Sequence, residues 1–158
     1  MSLDLRLPDP AATEAVGARL AASLPSEAVV LYLHGDLGAG KSSLARAMLR
    51  SLGVAGPIKS PTYTLVERYR LAQGEAAHLD LYRIAEAAEL DFLGLAELAD
   101  DLRLWLVEWP ERGAGALPAA DLHAWLAVEG SGRALRLEPA GTRGAAWLAS
   151  FGRLTSAA

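Results

Sequence analysis

The sequence predicts an α/β fold in which a mixed sheet lies between helices, and three observations carry that expectation. Residues 28–33 (Ala-Val-Val-Leu-Tyr-Leu) form a continuous apolar run, the pattern of a central strand covered on both faces. Residues 102–107 (Leu-Arg-Leu-Trp-Leu-Val) read as a second buried strand. Around these runs, short alternating segments are interleaved with stretches of helical spacing. With 158 residues, about half of them hydrophobic, the chain is expected to form one domain over 1–158 with a core of its own.

Taken in order, Leu3, Leu5 and Leu7 alternate with Asp4 and Arg6, which predicts a half-buried edge strand ended by Pro8. Residues 10–24 carry Val16, Leu20 and Leu24 at four-residue spacing among alanines. They predict a helix capped by Asp9, with Pro10 in its first turn and Pro25 as its stop. After the 28–33 strand come glycines. Residues 42–52 then place Leu44, Met48 and Leu52 on one helical face, with Gly53 beyond them. Residues 63–69 and 76–82 read as an antiparallel hairpin turned at Gln73-Gly74-Glu75. Acidic residues 85–101 predict one or two short helices broken at Gly94, and 113–118 a loop. A closing hairpin is expected from residues 122–128 and 134–137, turned at Gly130-Ser131-Gly132, then a helix over 142–154 and a frayed tail over 155–158.

Charge and composition exclude several classes of function. A net charge of −4 and a pI near 5.4 provide no cation excess for a nucleic-acid backbone, so any RNA involvement is expected to be indirect. The chain has no cysteine, which excludes disulfides, thiolate metal sites and cysteine nucleophiles. His34, His78 and His123 are too scattered for metal-ligand spacing and read as structural. The start lacks signal-peptide order, and no apolar run approaches a membrane span of about 20 residues. A cytoplasmic protein with no membrane partner is the expectation.

The segment Gly35-Asp36-Leu37-Gly38-Ala39-Gly40-Lys41-Ser42 satisfies G-x-x-x-x-G-K-[ST], between a buried-type strand and a helix as that motif requires. Its glycines let backbone N–H groups converge on phosphate oxygens at the positive end of the following helix. Lys41 is expected to bridge the β and γ phosphates of ATP, and Ser42 to offer its hydroxyl to Mg²⁺. The fold expectation becomes a P-loop NTPase-like, three-layer α/β/α arrangement.

A phosphate loop needs a carboxylate at a neighbouring strand end to hold the hydrated metal, and Glu108 after Leu104-Trp-Leu-Val107 supplies that pattern. In isolation a strand-end Glu also fits a solvated surface. Asp80, inside apolar His78-Leu-Asp-Leu-Tyr82, needs a partner or a polar cleft. It would orient the attacking water or help hold the metal, or else form a salt bridge to Arg83 or Arg68. Ser60-Pro-Thr-Tyr-Thr64 is either a segment whose hydroxyl senses the γ-phosphate and metal or an ordinary turn.

Together the phosphate loop, Lys59-Ser-Pro-Thr-Tyr-Thr-Leu-Val66, His78-Leu-Asp-Leu-Tyr-Arg83 and Val107-Glu-Trp-Pro110 resemble the TsaE (YjeE) family of small bacterial ATPases over nearly the whole chain. The resemblance implies an ATPase that works with TsaD and TsaB in making N6-threonylcarbamoyladenosine at position 37 of tRNA. It further implies that Gly38, Ala39, Gly40, Lys41, Ser42 and Ser43 contact the phosphates, and that Ser42 and Glu108 attend Mg²⁺. Thr62 would lie in a switch-like segment, and Asp80 would be needed for turnover. Thr13 and Arg133 would approach adenine or ribose, while Trp109 would pack in the core or couple the site to a partner. The family commonly has Thr where this chain has Ser42 and Ser43, a change that keeps the metal-facing hydroxyl.

Three rivals remain at this stage. A GTPase would use an Asn-Lys-x-Asp element, and the chain has no asparagine. A small P-loop kinase would need a lid longer than the 63–82 hairpin. A nucleotide-gated adaptor, in which ATP binding alone switches partner affinity, differs from the ATPase only in turnover.

Overall fold

The computed structural model describes residues 1–98 and 102–156. Its elements are β1 (Leu3–Leu7), α1 (Pro10–Ala22), β2 (Val29–His34), α2 (Lys41–Ser51), β3 (Val66–Arg70), β4 (Glu75–Asp80), α3 (Leu95–Leu98), β5 (Leu102–Glu108), β6 (Leu122–Glu129), β7 (Gly132–Pro139) and α4 (Thr142–Ser156). Short 3₁₀ turns occupy Ala87–Leu93 and Pro110–Gly113. The seven strands make one mixed sheet in the order β1-β7-β6-β2-β5-β4-β3. At its centre β6, β2, β5 and β4 run parallel, while β1, β7 and β3 add antiparallel edges.

The alternation of strand side chains sorts the core into two clusters. On one face Val29, Leu31 and Leu33 of β2 pack with Val16 and Leu20 of α1, Leu44 and Met48 of α2, and Trp147 and Phe151 of α4. Trp147 also donates its indole N–H to the Leu20 carbonyl at 3.1 Å, fastening α4 to α1. On the other face Val30, Leu79, Trp105 and Val107 are covered by Ile84, Leu90 and Leu95.

The mixed α/β sheet therefore agrees with expectation, but the layering differs from a full α/β/α sandwich. The three long helices share one face, and the other is covered over β4, β5 and β2 by 3₁₀ turns and the one-turn α3. Over β6, β7 and β1, Trp125, Ala127, Arg136 and Glu138 line an open groove of about 720 Å³. The physical reason lies in the connections: β6, β7 and β1 are joined through a tight hairpin and antiparallel pairing, which need no crossover helix to cover that side.

Several local expectations shift. The strand expected from Tyr63 begins only at Val66, because the Leu65 N–H closes back on the Pro61 carbonyl at 2.9 Å and Leu65 adopts φ 68°. The final helix extends through Thr155 and Ser156, where a frayed tail was expected, while Ala157 and Ala158 fall outside the described residues. The end of the expected 85–101 helical stretch, residues 99–101, also lies outside them. His34 and His123, far apart in sequence, stand on adjacent strands with their ring nitrogens 2.7 Å apart, and His34 stacks on Trp125. Burial pushes the His34 imidazole down to about 4.

Candidate functional site

Because β2, β4 and β5 are parallel neighbours, their carboxyl ends open on the same edge of the sheet, where α/β folds place ligands. β2 delivers the glycine loop to that edge, β4 delivers Asp80 and β5 delivers Glu108. The register sets Asp80 opposite Glu108, so two carboxylates from segments far apart in sequence become neighbours. Both are buried, at 8% and 3% exposure, which removes the reading of Glu108 as a solvated surface group.

The loop owes its shape to left-handed glycines. Gly35, Gly38 and Gly40 have φ of 145°, 80° and 108°, values that side chains rarely adopt. A Cβ on Gly35 would also collide with the Leu126 carbonyl on the adjacent strand. Gly40 caps α2 with no side-chain hydrogen bond, so the first-turn N–H groups of the helix have no capping side chain. Ala39 between them is buried.

Lys41 opens α2 almost fully buried and donates to the carbonyls of Gly35 and of Asp36, the latter at 3.0 Å. Its ammonium also lies 4.3 Å from the centre of the Trp109 ring. Burial depresses its pKa, while Glu108 and Asp80 pull it back up. The Ser42 hydroxyl donates to Glu108 Oε2 at 2.8 Å. Two hard oxygen donors at the head of a helix form a donor set that suits a magnesium ion.

A cleft of about 460 Å³ unites Gly38, Ala39, Gly40, Lys41, Ser42 and Ser43 with Thr62, Asp80, Glu108, Trp109 and Arg133. Thr62 reaches it from the 61–64 turn, its hydroxyl 2.8 Å from that of Ser60. Arg133 arrives from β7 and donates to the Gly38 carbonyl at 3.1 Å. Thr13, on α1, lines an adjoining cavity of about 790 Å³ that shares Gly40, Ser43 and Arg133 with the cleft. Trp109 has φ 56°, and its ring lies 5.0 Å from that of Tyr82. It flanks the site in contact with Lys41.

The two salt bridges considered for Asp80 do not form. Arg68 pairs with Glu75 at 2.7 Å, and Arg83 lies over the Tyr63 ring at 4.7 Å. Asp80 accepts the Tyr82 N–H at 3.1 Å, and burial raises its pKa.

One site residue was missed in the sequence. His78, read there as structural, is 2% exposed and donates through Nε2 to Glu108 Oε2 at 2.6 Å. The signal was the two-residue period of His78-Leu79-Asp80, which puts His78 and Asp80 on one face of β4.

A glycine loop between a buried parallel strand and a helix, faced by carboxylates from two neighbouring strand ends, marks an α/β protein with its site at the carboxyl edge of the sheet. The model of the threonylcarbamoyl adenosine biosynthesis protein TsaE family matches residues 7–135, and the chain belongs to that family. It is 49% identical over 96 residues to a tRNA threonylcarbamoyladenosine biosynthesis protein TsaE of Haemophilus influenzae, a stretch covering 61% of each chain. A Synechocystis protein of the same name is 44% identical over 115 residues, covering 70% of this chain and 72% of that one. The crystal structure of Bacillus subtilis YdiB superimposes with a TM-score of 0.81 at 26% identity, over 98% of this chain and 97% of that one.

Proposed function

We propose that this protein binds and hydrolyses Mg-ATP at the phosphate loop. In this reading it is the ATPase subunit of the machinery that makes N6-threonylcarbamoyladenosine at tRNA position 37, working in complex with TsaB and TsaD. The observation that carries the reading is the Ser42–Glu108 pair beside Lys41 at the head of α2. Phosphate oxygens would replace the Gly35 and Asp36 carbonyls as partners of the Lys41 ammonium, and the α2 N–H groups would meet the same anion. Ser42 and Glu108 would hold Mg²⁺, which when bound neutralises charge on the phosphates. In this reading Thr62, which lines the cleft, would sense the γ-phosphate, and Arg133 and Thr13, which line the adjoining cavity, would approach the ribose and adenine. Asp80, with its raised pKa and no salt bridge to Arg68 or Arg83, suits a group that orients the attacking water. The acidic chain leaves tRNA contact to its partners.

Calorimetry and phosphate release test the reading together. Lys41→Ala is expected to weaken ATP binding by at least about 100-fold, two unit steps of the affinity scale. Glu108→Gln should retain ATP but lose the turnover that TsaB–TsaD stimulates. If the pair fails to raise phosphate release by the wild-type chain, the coupled ATPase gives way to an adaptor switched by binding alone. Tight ATP binding by Lys41→Ala would remove the phosphate-loop reading itself.

A further inference from the structure

We propose that His78 is a positioning residue for the metal side of the site: it fixes the Glu108 carboxylate, which in turn orients the Ser42 hydroxyl. The inference rests on the Mg-ATP reading above. Both bonds to Glu108, from His78 Nε2 at 2.6 Å and from Ser42 Oγ at 2.8 Å, fall on the same oxygen, Oε2. A carboxylate accepts only, so Nε2 of His78 carries the proton.

The consequence for Ser42 comes from the freedom of a hydroxyl. Its hydrogen rotates until it finds an acceptor, and the direction of that acceptor decides where the oxygen lone pairs point. With Oε2 held by an imidazole on β4, the Ser42 hydrogen is committed to Glu108 and its lone pairs are left for a cation. The backbone provides the rigidity. His78 lies inside β4, which is hydrogen-bonded along its length to β5, the strand that ends in Glu108.

Packing alone does not account for a histidine here. Ala76, Ala77 and Leu79 around it in β4 are fully buried apolar residues, and His78 is itself 2% exposed. Its Nδ1 is buried with no hydrogen-bond partner among the described residues, so its side chain carries an orphaned polar atom alongside the bond to Glu108. An apolar side chain of similar volume would avoid that cost. Histidine is what one expects if the bond to Glu108 is the selected feature, in the manner of outer-shell groups that orient a metal ligand.

The test compares ATP affinity by calorimetry in magnesium and in EDTA for wild type, His78→Leu and His78→Gln. His78→Leu should lose about ten-fold or more of the affinity gained from magnesium, the lower bound for outer-shell substitutions, while its affinity in EDTA stays at the wild-type level. His78→Gln, whose amide N–H₂ reaches Oε2, should recover most of that gain. In steady-state assays with magnesium, the KM for ATP of His78→Leu should rise in step with this loss and return toward wild type in His78→Gln. If His78→Leu does not fold, His78→Asn, whose amide falls short of Oε2, takes its place against His78→Gln. A full magnesium gain in His78→Leu, or a glutamine variant no better than leucine, would overturn the inference. A wild-type protein that binds ATP equally in magnesium and EDTA would instead bring down the underlying Mg-ATP reading, and this inference with it.

Discussion

Among the site residues, Asp80 pays for its place at the carboxyl end of β4 with desolvation. It is 8% exposed, and its chief hydrogen bond is the Tyr82 N–H. Burial raises its pKa above the ordinary 3.8, with the nearby Glu108 adding to the effect. A raised acid stabilises the fold below its ordinary value, and that contribution is lost as pH rises through the raised one. Asp80→Asn keeps the oxygen that accepts the Tyr82 N–H and removes the charge. It should therefore raise the Tm at pH 7–8 while abolishing partner-stimulated turnover, and the gap in Tm should close as the pH falls toward 4. A lower Tm for the variant at pH 8 would contradict the burial argument. The sequence reached Asp80, Glu108, Lys41 and Ser42 individually because each sits at a recognisable place in a local pattern. It did not reach the bond from His78 to Glu108, which joins residues 30 apart in the chain.

At the scale of elements, the glycine loop depends on how α2 is seated, and α1 seats it. A Cβ built on Gly17 of α1 would lie 2.5 Å from the Ala47 Cβ of α2, so the two helices approach closely where neither carries bulk. Gly17→Val should force them apart and destabilise the protein by about 1–3 kcal/mol, the usual cost of overpacking, read as a lower Tm in a thermal melt. An unchanged Tm would mean that the helix pair yields freely. The strand, loop and helix from β2 through α2 were legible because apolar runs, glycine spacing and a 3.6-residue period act over short range. The late start of β3 was not. It follows from Leu65, whose left-handed conformation is held by bonds from its own N–H to Pro61 and from the Asp80 N–H to its carbonyl, and the second of these crosses to another strand.

For the whole molecule, the mixed sheet collects the loop and both carboxylates at one edge while the net charge stays at −4. A chain with that charge has few cations to exchange for the counterions of a polynucleotide, so the isolated protein should bind tRNA with a Kd weaker than about 10 µM at physiological salt. Filter binding checks this, and a submicromolar Kd would return tRNA contact to this chain. The sequence by itself determined the α/β class, the order of the elements and the glycine loop, which are written in local spacing, and its motifs carried the resemblance to the family. Only the tertiary structure decided that Asp80 lies beside Glu108 without Arg68 or Arg83 as its countercharge, that His78 and Ser42 meet on one carboxylate oxygen, and that the long helices crowd onto a single face. Those outcomes depend on the register and order of strands distant in the chain, and each is set by the burial of the whole sheet at once, which no local pattern encodes.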